Sequence, residues 1–81
     1  MITRITEAHE IGSLVRNTRK AQGLTQKQLA GLFTSFSREF LSDLENGKPT
    51  VELSKTLAVL NALGLRVSIS YDDVPETRSK A

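Results

Sequence analysis

The chain has 81 residues, 25% of them charged and 38% hydrophobic, with one histidine, no cysteine and a net charge of +2. That length supports one domain whose isolated core is marginal, a size at which self-association is a common remedy. Without cysteine there is neither a disulfide framework nor a thiolate metal site, and His9 alone cannot hold zinc and reads as a solvated surface residue. The apolar stretches fall far short of the ~20 residues of a membrane span. The opening MITRITEAHE lacks the hydrophobic run of a signal peptide, so a cytoplasmic protein with no membrane contact is expected.

The first helix is predicted from a Thr6 cap, with Glu7 near its positive end. Ala8, Ile11, Leu14, Val15, Thr18 and Ala21 recur at helical spacing, which leaves Arg16, Arg19 and Lys20 towards water, and Gly23 ends the helix. Thr25 with Gln28 forms a capping box for a second helix whose buried side is Leu29, Ala30, Leu32 and Phe33. The pattern breaks at Thr34-Ser35-Phe36. Ser37 caps a third helix with Leu41 and Leu44 inward, Arg38, Glu39, Ser42 and Phe40 outward, and Asn46-Gly47 at its end. After the connection Lys48-Pro49-Thr50, a last helix from about Leu53 to Leu63 buries Leu53, Leu57, Leu60 and Leu63 and stops at Gly64.

The hydrophobic period then falls from 3.6 to 2. Leu65, Val67, Ile69 and Tyr71 alternate with Arg66, Ser68 and Ser70, as in a half-buried strand. One strand cannot make a sheet, and the only other short candidate is Met1 to Ile5. The expectation is therefore a homodimer in which two copies pair their C-terminal strands, the alternative being a segment folded back on its own helices. Residues 1–64 form the expected helical domain, 65–72 the dimerising strand, and 73–81 a loose polar tail in which Asp72-Asp73 at the boundary merely solubilise.

Charge is unevenly placed. Residues 1–30 hold a surplus of three positive charges, residues 31–50 carry a net charge of −1, and the remainder balances. That suits a polyanion lying near the first two helices. The second and third helices form a pair able to place the third in a DNA major groove. Arg38 at its first turn can donate twice to guanine O6 and N7, Glu39 can accept from cytosine N4, and Ser42 lies one turn further on the same face. Phe40 either touches a thymine methyl or packs against the second helix or a partner. Gln26, at the first turn of the second helix, suits a phosphate, or a hydrogen bond to the third helix, or both. Ser37 sits at the same end of the third helix, and Lys27, Asn46 and Lys48 are further candidate backbone contacts.

The stretch L-T-Q-x-x-L-A followed by S-R-E-F-L-S-D-L-E-N-G-K-P-T-V resembles the λ-repressor-like (XRE) helix-turn-helix family, and the continuation L-x-x-x-L-x-V-L-x-A-L-G-L-R-V resembles its HipB-like antitoxin and repressor subgroup. The resemblance runs from about Ile5 to Tyr71. It implies a mainly α fold, a bundle of four or five short helices with a C-terminal β-strand that pairs across a homodimer. It also implies binding to a palindromic operator in double-stranded DNA, and to a HipA-like serine/threonine kinase toxin. Gln26, Arg38, Glu39 and Ser42 match the family's DNA-contacting positions, and Asn46 a phosphate-contacting one. Two departures stand out: L-F-T-S-F-S between the second and third helices has no glycine and is one residue longer than usual, and the tail has no tryptophan.

Catalysis is not expected: no nucleophile–base pair and no P-loop are identifiable, and no cofactor is implied. Two binding roles remain. One is a dimeric, nucleoid-associated repressor acting with a kinase toxin; the other is a stand-alone regulator, or chiefly a toxin-binding scaffold with weak DNA affinity.

Overall fold

In a computed structural model, residues 1–71 are described; Asp72, at the end of the expected strand, and the tail 73–81 lie outside the described residues. Four helices follow in order: α1 (Ala8–Ala21), α2 (Gln26–Leu32), α3 (Arg38–Glu45) and α4 (Leu53–Ala62). The chain is mainly α, and α3 packs against both α1 and α2. Val15, Leu29, Phe36, Leu41, Leu44, Val59, Leu60 and Leu63 make one continuous core. Among the described residues no helix is long and apolar enough to cross a membrane.

The helix ends follow local chemistry. The cap of α1 is Glu7 rather than Thr6, because the Glu10 carboxylate reaches back to accept from the Glu7 and Thr6 backbone N–H groups, each at 2.8 Å. Thr25 and Gln28 exchange hydrogen bonds at the start of α2, and Ser37 Oγ accepts from the Phe40 N–H at the start of α3, both as expected. Both α1 and α3 close with paired backbone bonds around a left-handed glycine. Gly23 (φ +75°) donates to the Lys20 carbonyl while Leu24 donates to that of Arg19, and Gly47 (φ +80°) and Lys48 repeat the arrangement.

The structure corrects several inward and outward assignments. Arg19 is buried, not solvated: it follows Ile11 and Val15 at four-residue steps along the inner face of α1. Leu32 and Phe33 are exposed, and Phe36, from the segment that breaks the pattern, fills the core in their place. Phe33 stacks on Phe36 with ring centroids 5.9 Å apart. Among the described residues no non-glycine residue has a positive φ, so the glycine-free turn crosses from α2 to α3 in ordinary backbone conformations. In α4 the inward residues are Thr56, Val59 and Leu60, joined by Leu63 at its C-cap, while Leu53 and Leu57 face outward. Thr56 can be buried because its hydroxyl donates to the Glu52 carbonyl at 2.8 Å.

Leu65 packs against the core of its own chain, its N–H bonded to the Leu60 carbonyl at 2.9 Å. From Arg66 to Tyr71 the chain is neither helical nor laddered within one copy, and Val67, Ile69 and Tyr71 are exposed.

Candidate nucleic-acid interface

Helical geometry decides which side chains of α3 meet. At about 100° per residue, Arg38, Ser42 and Glu39 fall on one flank and Leu41 and Leu44 on the opposite one. The fold adds Gln26 to the outward set: Gln26, Arg38, Glu39 and Ser42 line a single concavity between the start of α2 and α3. Ser37 sits at the same end of α3, its hydroxyl oxygen engaged as the cap. Asn46 and Lys48 lie at the other end. Asn46 Nδ2 donates to Ser42 Oγ at 3.4 Å, and the exposed Lys48 ammonium lies 3.5 Å from Asp43.

Phe40 is not on this face. Its ring is half-buried against the core, and the Lys55 ammonium of α4 stands 5.9 Å from its centroid. Phe40 lies a further 100° or so round from Glu39, at the edge of the apolar arc beside Leu44. Of the two roles open to it, packing is the one the structure supports, with α4 as the neighbour.

Gln26 makes the local bond: its Nε2 donates to Glu45 Oε1 at 3.2 Å. Glu45 is itself buried and gripped by Arg19, whose Nε donates to Oε2 at 2.7 Å and Nη2 to Oε1 at 2.8 Å. Arg19 Nη1 also donates to the Leu24 carbonyl at 2.7 Å. Burial pushes the Glu45 carboxyl up, but the hydrogen bonds from Arg19 and Gln26 and the nearby charges of Arg19 and Arg16 outweigh it and hold the group below its ordinary range. Bonding to Glu45 raises Arg19 correspondingly.

Nothing in the helical spacing of the sequence, taken one helix at a time, pairs Arg19 with Glu45. The available signal is positional: Arg19 stands four residues after Val15, and Glu45 four after Leu41, both core positions. An arginine and a glutamate each on an inner face are the sort of charges that must find one another when buried. Beside the pair, Lys27, Gln26 and Arg38 also line an open cleft with Arg16, Arg19, Lys20, Gly23, Leu24 and Thr25. No group of three or more acidic or histidine side chains fit to hold a metal is present among the described residues.

The comparisons with known proteins agree with this geometry. The helix-turn-helix domain family matches residues 10–68. An uncharacterized HTH-type transcriptional regulator, y4mF, of Sinorhizobium fredii (strain NBRC 101917 / NGR234) is 45% identical over 69 residues, covering 85% of this chain and 90% of that protein. The immunity repressor protein of Bacillus phage phi105 is 40% identical over 58 residues; the match spans 72% of this chain but only 40% of the phage protein. In fold, one chain of the solved HipA-HipB-O2-O3 complex superposes with a TM-score of 0.78 and 19% identity, covering 89% of this chain and all of that one.

Proposed function

The chain belongs to the helix-turn-helix domain family of DNA-binding transcriptional regulators, and from that premise we propose that it is the antitoxin of a HipBA-like toxin–antitoxin pair, a dimer that represses its own operon and binds a serine/threonine kinase toxin. The observation that carries the DNA contact is the convergence of Gln26, Arg38, Glu39 and Ser42 on one open concavity at the leading end of α3. There Arg38 donates to guanine O6 and N7, Glu39 accepts from cytosine N4, and Ser42 follows one turn on. Gln26, Lys27, Ser37, Asn46 and Lys48 contact phosphates around them and set register.

Pairing of residues 65–72 between two copies makes the reader two-fold. Val67, Ile69 and Tyr71 support this, because they present alternate apolar side chains to solvent with no cover in one chain. The outward Leu53 and Leu57 add to the same unmet demand for burial. Two copies of α3 then enter successive major grooves ~34–36 Å apart on a palindromic site. The kinase partnership is supported by the fold shared with a chain of the HipA-HipB-O2-O3 complex. The likeness to a phage immunity repressor supports a second reading, a stand-alone regulator.

Electrophoretic mobility shift on the DNA upstream of the gene, with and without the product of any kinase-like reading frame beside it, separates them. A shift strengthened by the kinase supports the antitoxin; a shift indifferent to it supports the stand-alone regulator. The absence of any shift in both conditions would defeat repression by this chain.

A further inference from the structure

We propose that the outer face of α1 is a second DNA-backbone surface, on which Arg16 and Lys20 bind phosphodiester groups beside the groove that α3 enters. This rests on DNA binding through α2 and α3. Arg16 and Lys20 are four residues apart on α1, hence neighbours on one face, and both are exposed. Two like charges at that spacing repel and weaken a helix rather than support it. They line the open cleft together with Arg19, Lys27 and Arg38.

Five cations thus meet where no carboxylate lines the wall among the described residues. The one acid behind them, Glu45, is already engaged: Oε2 accepts from Arg19, and Oε1 accepts from both Arg19 and Gln26. Glu45 is therefore bonded to Arg19, feels Arg16 only as a nearby charge, and makes no bond to the other cations. The side chains of Arg16, Lys20, Lys27 and Arg38 make no hydrogen bond or ion pair with any other described residue. Such a cleft has an unmet need for an anion.

Its position selects the anion. Gln26 and Arg38 line both this cleft and the concavity on α3, so the two surfaces are continuous. A strand whose base edges meet Arg38 carries its backbone across Arg16 and Lys20. Leu24 is the one large apolar side chain in the lining, which gives an acidic peptide little to hold besides charge, whereas a phosphodiester chain needs nothing else.

The test uses the full chain with Arg16→Ala, Lys20→Ala and the double variant, binding the duplex upstream of its gene and a random duplex of equal length, across a salt series. Neither side chain touches the core, and a thermal melt checks that the variants remain folded. Each replacement should make the plot of log affinity against log salt shallower by about 0.9, the double by about twice that, with equal fold-losses on both duplexes. An unchanged slope in the double variant overturns the proposal, as does a loss confined to the upstream duplex. Weakened capture of the kinase with unaltered DNA binding overturns it in favour of a protein partner. If Arg38→Ala weakens DNA binding while the double variant keeps the full slope, only the α1 surface falls. If the wild-type chain binds neither duplex, the DNA reading of α2 and α3 falls with it.

Discussion

Arg19 and Glu45, on helices α1 and α3, form a buried two-bond ion pair with donor–acceptor distances of 2.7 and 2.8 Å. Side-chain exposures of 8% and 2% mean that neither charge can turn to water if its partner is removed. Arg19→Met strands the carboxylate and should cost ~3–5 kcal/mol, a large share of the stability of so small a domain. Adding Glu45→Leu to it should recover most of the loss, since two apolar groups leave no buried charge. Chemical denaturation measures both; a single variant that loses no more than an exposed pair contributes, about 0–1 kcal/mol, would contradict the burial.

Acid should loosen the same contact. The folded-state pKa of Glu45 lies below its unfolded value because bonds from Arg19 and Gln26 overcome the opposing effect of burial. A depressed carboxylate contributes stability fully above the unfolded value, near 4.5, and loses it as pH falls through the folded one. Glu10 shifts in the same direction through bonds from the Thr6 and Glu7 N–H groups. Thermal melts from neutral pH downwards should therefore fall in the acid range, and Glu45→Gln should be less stable at neutral pH but less pH-dependent. Equal acid slopes for the two proteins would remove Glu45 from the explanation.

Two glycine-to-alanine changes should have opposite signs. A Cβ on Gly12 would collide with the Leu44 backbone carbonyl where α1 crosses α3, and a helix backbone has little room to yield. Gly31, in α2, has nothing within 4 Å of such a Cβ. Gly12→Ala should destabilise by about 1–3 kcal/mol, whereas Gly31→Ala should stabilise by up to ~1 kcal/mol through helix propensity. Denaturant midpoints decide, and a stabilising Gly12→Ala would mean that the helices do not approach so closely.

On DNA, Arg38→Ala should cost ~1–3 kcal/mol on the correct site and relax discrimination at one base pair. Lys48→Ala should weaken specific and random duplexes alike, because a phosphate contact carries no sequence information. Titrations on a set of single-substitution duplexes distinguish the two; equal losses for Arg38→Ala on every sequence would exclude base reading by that residue.

For the dimer, sedimentation of a dilution series should give two copies per particle at micromolar concentration. Ile69→Asp should shift it to monomer without unfolding the helices, since that side chain is 94% exposed in one chain. A wild-type monomer at micromolar concentration is the outcome that ends the strand-pairing proposal.

Much of the helical layout was legible from spacing and punctuation. Thr25 with Gln28, Ser37, and the glycines at 23, 47 and 64 mark helix ends through bonds that span only a few residues, so local sequence contains all the information needed. The outward trio of Arg38, Glu39 and Ser42 follows equally from the pitch of one helix. Phe40 was harder, because an aromatic at the edge of the apolar arc is turned one way or the other by its neighbour, here Lys55 of α4. The exchange of Leu32 and Phe33 for Phe36 has the same origin. Which aromatic of the turn fills the core depends on the path between two packed helices, and hydrophobicity alone ranks the two phenylalanines equally.

Sequence alone is enough for the four helices, the caps of α2 and α3, the polar flank of α3 and the helix-turn-helix family, because each depends on short-range periodicity or on a contiguous motif. It takes packing in three dimensions to bring Arg19 and Glu45 together inside the domain, to draw Gln26 into their bond, and to turn Leu53 and Leu57 outward. Those outcomes depend on how helices rotate about their axes as they pack, where burial of the whole core outweighs the preference of any one side chain for water.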